Sequence, residues 1–485
     1  MLRLRPLNLR SALRVWCACA LVVLAPGTAS AATPVEELAA QAAAGDRAAL
    51  DALVDLARRG KDAAAEYALG LMALDGRGLG RNTKQAFQLV QRAAAKGHPD
   101  ACNTLGYFLQ RGIGVAADNA QALNWYRRGA AAGSAGAQLN LGWFLEQGIA
   151  LEKDPVAAAD WYRKAAGQGL AAAKANLANL YALGTGVPRD VPAAMDLYRS
   201  ALAGRVESAG YHLGRLLEEQ GDIPAATEHY LAAARGRVAE AEFPAGRLLV
   251  ATGNPRRNMN QGVYWLDRAA SRDNLEALMM LANLYYAGAG LQKEPSLAAG
   301  YFRRAALLGD PLSAFRYADY LESEMLTRPG TGAGDREEVL GWYRRAADKG
   351  YAEAQFRLAR ALQAQPGPAR EEGVGWYRKA AAQGHFGAAL QLALALDNGA
   401  GVPASPAESI PWYLKAAGAG SAEACFRLAL LYDRGRGTPT DFVRARDYYS
   451  RAAALGHAEA EQVLRRLVGI PVLEEPRSDP FKGMR

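Results

Sequence analysis

Residues 424–456 read ACFRLALLYDRGRGTPTDFVRARDYYSRAAALG, and residues 173–204 read AKANLANLYALGTGVPRDVPAAMDLYRSALAG. Both segments start on a small residue and place a leucine four positions later, Leu428 and Leu177. Each then has a glycine pair, an acid and a bulky dipeptide, Tyr448-Tyr449 and Leu197-Tyr198. The dipeptide recurs as Trp125-Tyr126, Trp161-Tyr162, Trp342-Tyr343, Trp376-Tyr377 and Trp412-Tyr413. Weaker copies begin at Leu89, Leu197, His229, Trp265, Tyr301 and Tyr448. Successive spacings are 36, 36, 36, 32, 36, 36, 41, 34, 36 and 36 residues. A period in the thirties marks a repeat array. Such an array spreads similar residues along a surface and does not gather different ones in a pocket, which argues against enzyme chemistry.

The spacing inside one unit predicts two helices. The first carries the anchor leucines Leu69, Leu105, Leu141, Leu177, Leu213, Leu281, Leu358, Leu392 and Leu428, with Ala245 and Tyr317 in register. Four residues earlier stands a small side chain, as at Ala137 or Ser313. Glycine or alanine follows the anchor directly, and apolar residues such as Phe144-Leu145 come three and four positions later. Positions i, i+4, i+7 and i+8 share one helix face, so small residues let neighbouring helices approach and large ones fill the layer. Turns such as Gly184-Thr185-Gly186 end this helix. An acid often follows, as Asp118, Asp154, Asp190, Glu294 and Asp441, placed to cap the second helix. That second helix bears the Trp-Tyr pair, expected in the core, followed by arginines and lysines expected on a solvated face.

This unit closely resembles the Sel-1-like repeat, a relative of the tetratricopeptide repeat. The resemblance extends from about residue 62 to 468 and implies an all-α fold, a right-handed superhelical solenoid of antiparallel helix pairs. It also implies a scaffold or adaptor that holds other proteins. Some secreted bacterial members carry a disulfide in each repeat, and this chain lacks those cysteines. The step ending at His229 has lost four residues, the 41-residue step carries an insertion from Leu326 to Glu338, and a Gln365-Pro366-Gly367-Pro368 link shortens another. Residues 32–61 are expected to hold an N-terminal half repeat, and 62–468 about eleven repeats with a closing helix. Residues 469–485 read as a loose tail.

Residues 1–31 have the pattern of a secretory signal. Arg3, Arg5, Arg10 and Arg14 precede a short apolar run, Val15 to Leu24, and Ala29-Ser30-Ala31 supplies the small-x-small cleavage pattern. The run falls short of the roughly 20 residues that cross a bilayer as a helix. The expected location is therefore periplasmic or secreted, with no membrane span after signal removal. The formal charge of +8 drops by the four arginines to +4, too little for the concentrated basic stripe that nucleic acid needs. Cys102 and Cys425 remain, nine repeat steps apart in core-like positions, as small buried hydrophobes.

No catalytic motif emerges. Ser-x-x-Lys, His-Glu-x-x-His, Gly-x-Ser-x-Gly and Gly-Lys-Ser/Thr do not occur. The Gly-x-Gly turns follow helices, whereas a phosphate cradle of that form follows a strand. His98, His385 and His457 share one loop position and belong to the repeat. No cluster has metal-ligand spacing, so no cofactor or metal is expected. The positions that vary lie one residue before and two after each anchor, where side chains are expected to point away from the packed face and carry no packing duty. By resemblance to tetratricopeptide arrays, the anchor helices line the concave side. The candidate partner-binding stripe is Asn140, Trp143, Asn176, Asn179, Arg215, Arg247 and Asn283. Asparagine can pair with a peptide backbone and arginine can hold a carboxylate at two points. The expected partner is a protein or peptide of the bacterial cell envelope. A helper of polysaccharide export that touches envelope polysaccharide is the alternative, and a cell-wall enzyme is further off. Cleavage after Ala31 predicts that Edman sequencing of the exported protein starts at Ala32, within about one residue; full-length protein recovered from cytoplasm rejects the signal.

Overall fold

The computed structural model describes residues 34–59, 62–327, 333–365 and 367–467. The expected signal, 1–31, and tail, 469–485, lie outside them. The described residues form 25 α-helices, one 3-10 helix and no strand. The chain divides into two compact units, Met1–Asn258 and Met259–Arg485.

In the first unit, Pro34–Ala43 and Arg47–Arg58 occupy the segment expected to hold half a repeat, so it contains two short helices. Helix pairs follow, such as Pro99–Arg111 with Asn119–Ala131, Ala135–Gln147 with Pro155–Gly167, and Ala171–Leu183 with Val191–Ala203. The shortened repeat, Ser208–Glu219 with Ile223–Arg235, remains a helix pair. Its turn is reduced to Gly221, with Asp222 capping the second helix through Ala225 N–H. A 3-10 turn, Ala239–Ala241, and the nine-residue helix Glu242–Val250 close this unit. The second unit runs from Met259–Ser271 through five further pairs to the closing helix Ala458–Leu467. The insertion lengthens both flanking helices, Pro311–Thr327 and Ala333–Asp348.

Capping follows the sequence. Asp118, Asp154, Asp190 and Asp441 each accept the N–H three residues ahead, whereas Glu294 makes no side-chain cap. Turn geometry depends on glycine where backbones meet. Gly186 has φ +72°, and a Cβ there would lie 2.3 Å from the Pro155 carbonyl oxygen of the preceding repeat.

The small positions from Ala65 to Ala424 are sealed, as is every anchor except the half-buried Tyr317. Cys102 and Cys425 are buried free thiols. The aromatic pair divides its work. Its second member is always sealed: Tyr126, Tyr162 and Tyr413 are wholly buried, and Val90, Leu266 and Phe302 fill the same place elsewhere. The first member varies: Trp265, Trp342 and Trp376 are buried, whereas Trp125, Trp161 and Trp412 are only half-buried. The cations three residues on cover their outer faces, with Arg128 4.4 Å from the Trp125 centroid and Lys164 4.0 Å from that of Trp161. Lys379 lies 3.7 Å from Trp376 and Lys415 4.2 Å from Trp412. These cations, expected to be merely solvated, roof the indoles, each contact contributing about 0.5–1 kcal/mol at an exposed site.

The deeper anchor is therefore the tyrosine. Tyr162→Ala is expected to lower stability by about 3–5 kcal/mol and Trp161→Ala by about 1–3 kcal/mol in urea unfolding; a larger loss from Trp161 would reverse the assignment.

Candidate functional site

The stripe predicted from sequence falls on the anchor helices, but the structure ties most of its residues down. In the first unit, the anchor helix Pro99–Arg111 packs directly on the next one, Ala135–Gln147. Asn140 is half-buried and donates through Nδ2 to Asn103 Oδ1 at 2.8 Å. Trp143 is half-buried and meets Phe144 edge-on, with centroids 5.6 Å apart. Asn176 is buried, 5% exposed, which corrects its expected outward position. It follows Ala175, itself sealed, and this helix turns a wider apolar face inward than the anchor spacing alone suggests. Asn179 accepts the Tyr198 hydroxyl through Oδ1. Arg247 pairs with Glu218, whose other oxygen takes the Tyr230 hydroxyl at 3.1 Å. Asn283, in the second unit, is exposed.

The expectation that these side chains carry no packing duty therefore fails for Asn140, Asn176, Asn179 and Arg247. The sequence position is a poor guide here because the neighbouring repeat supplies the partner. The basic continuation of the stripe is also neutralised. Arg357 lies 3.7 Å from Asp319, 3.4 Å from Glu322 and 3.3 Å from Glu353. Arg427 is 2.6 Å from Glu423.

Asn179, Arg215 and Arg247 come together around the shortened repeat, and sequence reasoning missed the company they keep. His212 stacks on Tyr198 with centroids 5.6 Å apart and planes 12° from parallel. Tyr211 meets His212 edge-on at 5.2 Å. Burial first, then the Arg215 charge, lowers the His212 pKa to about 4. The imidazole is thus neutral near pH 7. The signal available in sequence was that His212 stands one residue before an anchor, where other repeats place alanine, threonine, an amide, proline, methionine or arginine.

The loop histidines have a structural task as well. His98, His385 and His457 cap their helices by accepting at Nδ1 the N–H of Ala101, Ala388 and Ala460. His385 Nε2 lies 2.9 Å from Glu353 and His457 Nε2 3.1 Å from Glu423, each carboxylate standing near the start of the preceding anchor helix. Among the described residues no group of three or more His, Cys, Asp or Glu is placed to hold a metal, and no helix is long and apolar enough to cross a membrane.

The sequence model of the Sel1 repeat matches ten segments: 63–98, 99–134, 135–170, 171–204, 246–274, 275–310, 311–351, 352–385, 387–421 and 422–457. The chain belongs to the Sel1-repeat family. The matches leave out residues 205–245, where the glycine turn is lost, although the structure keeps a helix pair there. A crystal structure of a protective antigen present in uropathogenic Escherichia coli strains, displaying an SLR fold, is 26% identical with a TM-score of 0.66. The match covers 87% of this chain and 90% of that one. A Sel1 repeat protein from Oxalobacter formigenes is 28% identical, covering 50% of this chain and 96% of its own, with a TM-score of 0.43. No match was found among curated proteins. The Sel1 solenoid is generally a non-catalytic scaffold, and the fold points to protein partners.

The His212 pKa, lowered in the fold from 6.5, sets a pH dependence. The unfolded chain takes up this proton first on acidification. The stabilising contribution is therefore complete above about pH 6.5 and is lost as pH falls toward about 4. Urea midpoints measured across that window should fall, by on the order of 1–3 kcal/mol in stability for this residue. His212→Gln should flatten the upper part of the slope, and an unchanged slope would remove His212 as its source.

Proposed function

We propose that this Sel1-repeat protein is a non-enzymatic interaction scaffold, exported to the periplasm or beyond, that holds a protein partner of the bacterial cell envelope on its anchor-helix face. The observation that carries the reading is the contrast between constant and variable positions. Anchors, small residues and buried tyrosines repeat through both units, while the positions beside the anchors change from amide to indole to imidazole to arginine. Such variation on a constant frame is how an array distinguishes one partner from another. Export rests on the basic, apolar and Ala29-Ser30-Ala31 pattern of the first residues. The similar SLR-fold structure belongs to a protective antigen, which accords with an exported protein.

Crosslinking pull-down from envelope extract, read by mass spectrometry, tests this reading. Trp143→Ala should weaken the captured partner by about 1–3 kcal/mol in calorimetry. Arg127→Ala and Arg378→Ala on the aromatic helices should leave it unchanged. The opposite pattern places the partner on the other face.

A further inference from the structure

Arg215 differs from the other stripe arginine of the first unit. It lies on Ser208–Glu219, two residues beyond the anchor Leu213, and is half-buried. Two carboxylates stand one turn further along its own helix, and both are engaged elsewhere. Glu218 holds Arg247 and the Tyr230 hydroxyl, and Glu219 lies 3.4 Å from Arg189. No carboxylate of the described residues comes within 4 Å of Arg215; its hydrogen-bond partner is the neutral phenol of Tyr211. His212 beside it is neutral and adds no negative charge. A guanidinium partly withdrawn from water without a counter-charge is costly, and its fork of donors fits a carboxylate at two points. One repeat earlier, at the same register, Asn179 accepts the Tyr198 hydroxyl at its side-chain oxygen. Its Nδ2 hydrogens have no partner among the described residues. The patch is thus rich in donors and poor in acceptors.

We propose that Arg215 receives a side-chain carboxylate from an acidic peptide segment of the partner, with Asn179 donating to the segment's backbone. The proposal rests on the reading that the anchor-helix face binds a protein. A peptide is favoured over an acidic sugar because the rings of this cluster are engaged with one another: Tyr198 and Tyr230 are sealed, and the half-buried His212 and Tyr211 pack on them, so the patch offers hydrogen-bond donors more than a free ring face. Binding joins guanidinium and carboxylate without bond chemistry.

A random linear-peptide display library, panned on the full chain and on Arg215→Gln, tests it. Peptides enriched by the unaltered chain should carry Asp or Glu at one fixed position. A synthetic copy should bind Arg215→Gln at least ten-fold more weakly. Changing its acid to the amide should cost the same factor against the unaltered chain and nothing further against Arg215→Gln. Saturation with the acidic peptide should also raise the pH at which the His212 C2 proton titrates by NMR, because the carboxylate offsets the guanidinium. If Arg215→Gln misfolds by circular dichroism, Arg215→Lys takes its place, with a smaller loss expected. Enriched peptides without a fixed acid, equal binding by both chains, or an unmoved His212 titration overturns the carboxylate assignment and leaves the scaffold reading standing. Enrichment of no peptide by either chain, with glucuronate oligomers captured through Arg215, overturns the peptide reading and this proposal together.

Discussion

A tyrosine ring sealed between two helices fills the layer and leaves its hydroxyl to be satisfied, and in several repeats this demand is met from one fixed position of the opposing helix. Tyr126 donates to Gln110, Tyr162 to Glu146, Tyr343 to Glu322, Tyr413 to Asp397 and Tyr449 to Asp433. Each acceptor stands five residues beyond the anchor of its own helix. Where the sealed residue has no hydroxyl, that position is no longer an acid or amide: Val90 is matched by Leu74, Leu266 by Val250 and Phe302 by Tyr286. A buried hydroxyl without an acceptor costs about 1–3 kcal/mol, enough to select the partner position inside each repeat. Tyr198 faces Ala182 at that position and turns to Asn179. A candidate binding residue is thereby drawn into the core's own bookkeeping.

The same logic governs charges on the outer face. An arginine or lysine three residues after the tryptophan lies over the indole, a placement set by helix geometry between positions i and i+3. The indole edge is used too: Trp376 Nε1 donates to Glu372 at 3.0 Å, and Glu372 in turn holds Arg344 of the preceding repeat at 2.6 Å. Histidine caps link successive anchor helices by an equivalent route, reaching from the start of one to an acid at the start of the helix before. Polar residues that look like ordinary surface are the lateral ties of the solenoid.

The shortened repeat departs from this regularity. Losing four residues removes the second glycine of its turn, and three closing positions, Arg205, Arg237 and Asp273, hold the left-handed conformation without glycine. Here the layer between helices contains His212, Tyr198, Tyr211 and Tyr230 in mutual contact. Burial keeps the imidazole neutral and the engaged acids leave Arg215 without a carboxylate. Arg215 lacks the partner that Glu218 gives Arg247 and Glu322 gives Arg360, because the preceding repeat has Ala182 at that position.

Much of this was legible in the chain alone. Helix pairs, anchors, small positions, aspartate caps and glycine turns follow from a period near 36 and from elementary helix geometry, since each depends on residues close in sequence. That the second member of the aromatic pair is sealed in every repeat and the first only in some was not legible, because both rings are large and apolar and only packing decides how deep each sits. Nor was the state of the stripe. Asn140, Asn179 and Arg247 occupy outward register positions, yet each meets a polar group from a neighbouring helix, and Asn176 is buried outright. The sequence by itself determined the architecture, because repetition along the chain becomes repetition in space. Tertiary structure alone decided which polar side chains remain unpaired, because hydrogen bonds and ion pairs between repeats join residues some 30 positions apart, beyond the reach of any local pattern.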